Sequence, residues 1–190
     1  LPEYGYFYYK KLDSHGNTLV REKRIDINIT IWGSGYSPID SIAQVEGGLL
    51  FSYYSYQGDD SRNALGIVRL DGDGDLVWRD HIRPESDVDF YRFGSNVRTD
   101  GTVFVAWKEA HVQAAHLETV AYPDGNRTVN YLGNVRYENG TDIDVPGTGL
   151  WMELVNGSMY VLNFDNTLKY IRISETGVVQ YTKDYPWGAP

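Results

Sequence analysis

The chain has 190 residues, 42 % hydrophobic and 14 % aromatic with 16 Tyr, enough apolar bulk to bury a core and too much for a disordered chain. Its formal charge is −9, from 26 acidic against 17 basic residues, which excludes the cationic surface that nucleic acids and anionic membranes attract. It holds no Cys, which removes disulfides, thiolate catalysis and Cys-ligated metal sites.

The chain opens on Leu1 and enters strand-like sequence almost at once, so it reads as a piece of a longer polypeptide. Its first element is a hairpin. Tyr8-Tyr9-Lys10-Lys11-Leu12 has strand composition, Asp13-Ser14-His15-Gly16 makes an acidic turn with Gly for the positive φ, and a second run covers Thr18 to Ile25. The loop Trp32-Gly33-Ser34-Gly35-Tyr36 follows, its small residues keeping an aromatic pair accessible. A Gly-led strand, Gly47-Gly48-Leu49-Leu50-Phe51-Ser52-Tyr53, then precedes a second hairpin. That hairpin runs Gly66-Ile67-Val68-Arg69-Leu70, turns at Asp71-Gly72-Asp73-Gly74, and continues from Leu76 to Ile82.

Glu85, Asp87 and Asp89 form an acidic loop before Asp89-Phe90-Tyr91-Arg92-Phe93, and the next Gly-led strand is Asp100-Gly101-Thr102-Val103-Phe104-Val105-Ala106-Trp107. Val103 to Ala121 supports two readings. Val103, Trp107, Ala110, Ala114, Leu117 and Ala121 recur at heptad spacing, as in a helix. Gly48 to Asp71 and Gly101 to Asp124 nevertheless align without gaps, Phe51 over Phe104, which favours two strands joined at about His111. A degenerate turn, Tyr122-Pro123-Asp124-Gly125, comes next, and Asp142 and Asp144 form another acidic loop. The chain closes with Gly149-Leu150-Trp151-Met152-Glu153-Leu154, the Gly-led strand Asn156-Gly157-Ser158-Met159-Tyr160-Val161-Leu162, and a last hairpin over Tyr170 to Tyr181.

Two markers keep one period. Gly48, Gly101 and Gly157 lie 53 and 56 apart, and the turn glycines Gly16, Gly74, Gly125 and Gly177 lie 58, 51 and 52 apart. Four strands per period of about fifty residues is the pattern of propeller blades. The expected fold is therefore all-β: consecutive four-stranded antiparallel blades of a β-propeller, two complete and two partial, forming a fragment of a larger propeller. The blade limits read as 1–46, 47–99, 100–155 and 156–190, in a single segment. The run Leu70-Asp71-Gly72-Asp73-Gly74-Asp75-Leu76-Val77-Trp78 resembles the blades of quinoprotein-like (PQQ-type) propellers. Those enzymes carry an Ala/Thr/Trp-rich docking repeat, whereas one Trp here stands in the matching place, so the resemblance implies no cofactor. The sialidase Asp-box is similar too, but Asp75 stands where that box has Gly.

Four Asn-x-Ser/Thr sequons begin at Asn28, Asn126, Asn139 and Asn156, where 11 Asn and 22 Ser or Thr give about 1.3 by chance. They point to a secreted or cell-surface glycoprotein. Asp71, Asp73 and Asp75 alternate like the first three ligands of a calcium loop, but Leu76 and Ile82 occupy that loop's Gly and Glu positions, and a hairpin tip uses Asp and Gly anyway. Calcium is the one cofactor the sequence suggests. His15, His81, His111 and His116 show no metal spacing. Trp32, Tyr36, Trp107 and Trp151 are the candidate ligand-stacking rings, in competition with packing between blades. No apolar run approaches the ~20 residues of a membrane helix. The function expected is a non-catalytic extracellular module for binding, adhesion or assembly, with further blades, other copies or glycans as partners. The alternative is a glycan-active enzyme, glycoside hydrolase or sialidase-like, using the loop acids.

Overall fold

The computed structural model describes residues 3–31, 39–57, 62–82, 90–109, 115–122, 126–143, 151–155, 158–163, 167–174 and 176–186. No helix occurs among them, and fourteen strands do. These are β1 (Glu3–Leu12), β2 (Thr18–Ile31), β3 (Ile39–Val45), β4 (Gly48–Gln57), β5 (Arg62–Asp71), β6 (Leu76–Ile82) and β7 (Phe90–Val97). Then follow β8 (Val103–Glu109), β9 (Ala115–Ala121), β10 (Thr128–Asn134), β11 (Trp151–Val155), β12 (Ser158–Asn163), β13 (Thr167–Ile173) and β14 (Val179–Pro186). They form one two-stranded sheet, β1-β2, and three meanders, β3-β4-β5-β6, β7-β8-β9-β10 and β11-β12-β13-β14. This is an all-β, blade-like arrangement.

The sheets open one strand earlier than the glycine period suggests. Val45 pairs with Gly48, so the Gly-led strand is second in its sheet, after a tight turn at Glu46-Gly47. Ile39 to Val45 therefore starts the first meander instead of closing the hairpin before it, and β7 and β11 do the same for the later sheets. The count becomes three four-stranded sheets and one two-stranded sheet, where the sequence suggested two complete and two partial blades. The segment from Val103 to Ala121 is two antiparallel strands, Val103 opposite Val120 and Trp107 opposite His116. Leu117 of the heptad series packs with Phe104 and Ala106, which lie outside that series, so the core follows strand pairing and not helical spacing.

Four hairpin tips share one construction. Residues Asp13–Asn17, Asp71–Asp75, Tyr137–Thr141 and Ser174–Val178 each close with the first N–H donating to the fifth carbonyl and the fourth N–H donating to the first carbonyl. The fourth residue is always Gly with φ between +77° and +85°, a region that strains any Cβ. The first side chain caps the loop: Asp13 Oδ1, Asp71 Oδ1 and Ser174 Oγ each accept from the third and fifth N–H at 2.8–3.3 Å. These caps hold the Asp13 and Asp71 carboxyls below the ordinary range. In Asp13 the Asn17 amide leads, and in Asp71 the Asp75 N–H leads.

The chain divides into two compact units, Leu1–Glu85 with Val97–Gly101, and Ser86–Asn96 with Thr102–Pro190. In the first, the β1-β2 hairpin packs Phe7, Ile25 and Ile27 on Phe51, Tyr53, Val68 and Leu70 of β4 and β5. Phe7 meets Phe51 and Tyr53 edge-on at 5.2 and 5.3 Å, contacts worth about 0.5–1.5 kcal/mol each beyond area burial. The hairpin is also tied polarly: Tyr9 Oη and Lys11 Nζ donate to Gly72 O, and Lys23 pairs with Asp75 at 2.8 Å. In the second unit, Phe104, Ala106 and Leu117 pack with Ile171, Ile173 and Val179, and Val135 and Ile143 complete the core. The segment after β10 is stitched to the β13-β14 tip: Arg136 N–H donates to Gly177 O and Val179 N–H donates to Arg136 O.

Candidate functional site

The second unit carries a polar and aromatic row across β8, β9 and β10. Strand pairing puts Trp107 opposite His116, and His116 opposite Asn134. The register shifts between Tyr131 and Gly133, so Tyr131 sits opposite Glu118 yet still reaches His116. The Trp107 and His116 rings stack at 4.1 Å with 20° between planes. His116 Nδ1 lies 2.9 Å from Tyr131 Oη, Tyr131 Oη lies 3.3 Å from Asn134 Oδ1, and Asn134 Nδ2 lies 2.8 Å from Asp142 Oδ2.

Donor chemistry fixes the direction of this chain. An ionised carboxylate only accepts, so Asn134 gives Asp142 an amide hydrogen and turns Oδ1 to Tyr131. Tyr131 spends its one hydroxyl hydrogen there, and its lone pair accepts from His116 Nδ1–H. The imidazole therefore carries its proton on Nδ1. Trp107 is 8 % exposed and Tyr131 is 55 % exposed. Tyr131 thus presents a ring held in place from behind, with the Asn134 amide beside its hydroxyl and the Asp142 carboxylate bonded to the far side of that amide. Glu118 lies on the same face one pair along; burial pushes its carboxyl up, against the lowering pull of Arg127.

Of the residues singled out in the sequence, Trp107 belongs to this row as the buried backing of His116, not as its exposed ring. Trp32 and Tyr36 lie outside the described residues, and Trp151 opens β11 opposite Leu162. Asn126 and Asn139 are exposed, Asn28 falls within β2, and Asn156 lies outside the described residues. Asp71 turns its carboxylate onto its own loop, and Asp75 faces Lys23. Among the described residues no three His, Cys, Asp or Glu side chains converge as a metal site. Glu85, Asp87, Asp89 and Asp144 lie outside the described residues. Among the described residues, no helix is long and apolar enough to cross a membrane. Sequence reasoning passed over Tyr131, His116 and Asn134. The available signal was the hairpin join near His111, which by simple register sets Trp107 against His116. No protein-family model matches the chain, and no curated protein matches it.

Proposed function

We propose that this chain is a binding module of a secreted or cell-surface glycoprotein, its sheets serving as consecutive blades of a β-propeller and its ligand a glycan. The stacked face-to-face sheets of each unit support the blade reading. The four sequons support the compartment. The observation that carries the binding reading is Tyr131: an exposed ring whose hydroxyl is fixed by His116 and Asn134. A sugar needs an apolar face for its C–H groups and polar partners for its hydroxyls. Tyr131 offers the first, and Asn134 and Asp142 the second, on strands that need little ordering on binding.

Titration of ¹⁵N-labelled protein with neutral and acidic oligosaccharides tests the reading. Shifts should concentrate on β9, β10 and the segment around Asp142, and Tyr131→Ala should weaken binding at least tenfold with the fold unchanged. Shifts elsewhere, or affinity untouched by Tyr131→Ala, would remove this site as the ligand surface.

A further inference from the structure

We infer that Asn139 is a preorganised N-glycosylation acceptor, held on a locally folded tip that fixes its amide. The inference rests on the extracellular reading above and deepens it. Asn139 is the third residue of the Tyr137–Thr141 tip, and here the cap differs from those of the other three tips. Tyr137, in the first position, has no short acceptor side chain. Asn139 Oδ1 takes over, accepting the Thr141 N–H at 3.0 Å. A backbone N–H needs an acceptor, so the atom facing it is the oxygen, and the amide nitrogen lies outside that bond. The sequon Asn139-Gly140-Thr141 is thus held as an Asx-turn on an exposed tip, with Gly140 at φ +82° and open space around it.

The tip's own hydrogen bonds are local. Tyr137 N–H to Thr141 O, Gly140 N–H to Tyr137 O and Thr141 N–H to Asn139 Oδ1 all lie within five residues. None of these bonds draws on the surrounding sheets, so the acceptor geometry is set by the tip itself. Asn126 is exposed as well, and Asn28 lies within a fourteen-residue strand. In the transfer step Asn139 Nδ2 bonds to C1 of an oligosaccharide carried on a polyprenyl phosphate or diphosphate. The C1–O bond breaks, its electron pair leaves with the phosphate, and the displaced Nδ2 proton passes to a base of the transferase.

The full 190-residue chain, secreted from a host that N-glycosylates, is the material for the test, read by glycopeptide mapping and intact mass. Asn139 should carry glycan in the parent protein. Thr141→Ala should abolish it while keeping the backbone N–H that holds the Asx-turn, and Thr141→Ser should retain it. Gly140→Val keeps the sequon but cannot hold φ near +80°, so occupancy should fall several-fold; the far-UV spectrum checks that the sheets persist. Bare Asn139 beside an occupied Asn126 would overturn the inference and leave the extracellular reading standing. Wild-type occupancy in Gly140→Val would overturn the preorganisation. Four bare sequons would overturn the inference and the glycoprotein reading together.

Discussion

Tyr53 shows how one residue is fixed by another that has no side chain. Its ring is fully buried on β4, edge-on to Phe7 and His81, and lies flat on Gly66 of β5, its direct strand partner. A Cβ at Gly66 would come within 2.2 Å of the Tyr53 ring, so only Gly allows this packing. Gly66→Ala should therefore destabilise the first unit by about 1–3 kcal/mol, the usual penalty of overpacking. Urea titration measures it, and a change under half a kcal/mol would mean that the ring moves aside freely. Tyr53 Oη lies 3.2 Å from His81 Nε2, and burial pushes its hydroxyl up to about 12, against the lowering pull of Arg79. The sign follows: the unfolded chain ionises this group first, near pH 10, so stability should fall as pH rises from about 10 toward 12. Tyr53→Phe should flatten that alkaline limb, and an unchanged limb would assign it to other groups.

At the scale of the element, the repeated tip is the unit of design. The Asp71 loop closes the β5-β6 hairpin and also supplies Gly72 O and Asp75 to the β1-β2 hairpin, so one turn serves two sheets. Asp71→Ala removes the acceptor for two N–H groups, whereas Asp71→Asn keeps it. The alanine variant should lower the melting temperature clearly, and the asparagine variant should stay near the parent. Equal losses would show that charge, through Lys23, matters more than the cap. The Asp13, Asp71 and Ser174 tips were legible in the sequence because Asp or Ser in the first place and Gly in the fourth are dictated by local hydrogen bonds and by φ, whereas the Tyr137–Thr141 tip, which opens on Tyr, was not. The two strands within Val103 to Ala121 were legible through their alignment with Gly48 to Asp71. The sheet limits were not. Ile39-Asp40-Ser41-Ile42-Ala43-Gln44-Val45 carries weak alternation, and whether it opens or closes a sheet depends on pairing with β4, a tertiary fact. The Tyr131 row was hidden for the same reason: its members are spread from Trp107 to Asp142 and meet through strand register and a bulge.

For the whole molecule, charge and turn chemistry act in different pH ranges. The net charge of −9 at pH 7 keeps copies apart, and it vanishes near the isoelectric point of about 4.8. Exposed apolar side chains are spread over the edge strands, Val77 on β6, Val129 and Tyr131 on β10, Tyr181 and Tyr185 on β14. Once repulsion is gone these favour association. The fold itself should survive that pH. Asp13 and Asp71 have folded values below the ordinary one, so their contribution is present above about pH 3.9 and is lost only as pH falls through the depressed values. Glu118 works in the other direction: its raised value means that protonation relieves a buried charge, so acidification through its range adds stability. Light scattering should therefore rise to a maximum near pH 4.8 while the far-UV spectrum stays that of the native sheets, and returning to pH 7 should restore the dispersed protein. Loss of the β spectrum at or above the pH where scattering begins would show instead that acid unfolds the sheets first, and that the turn caps do not hold as argued.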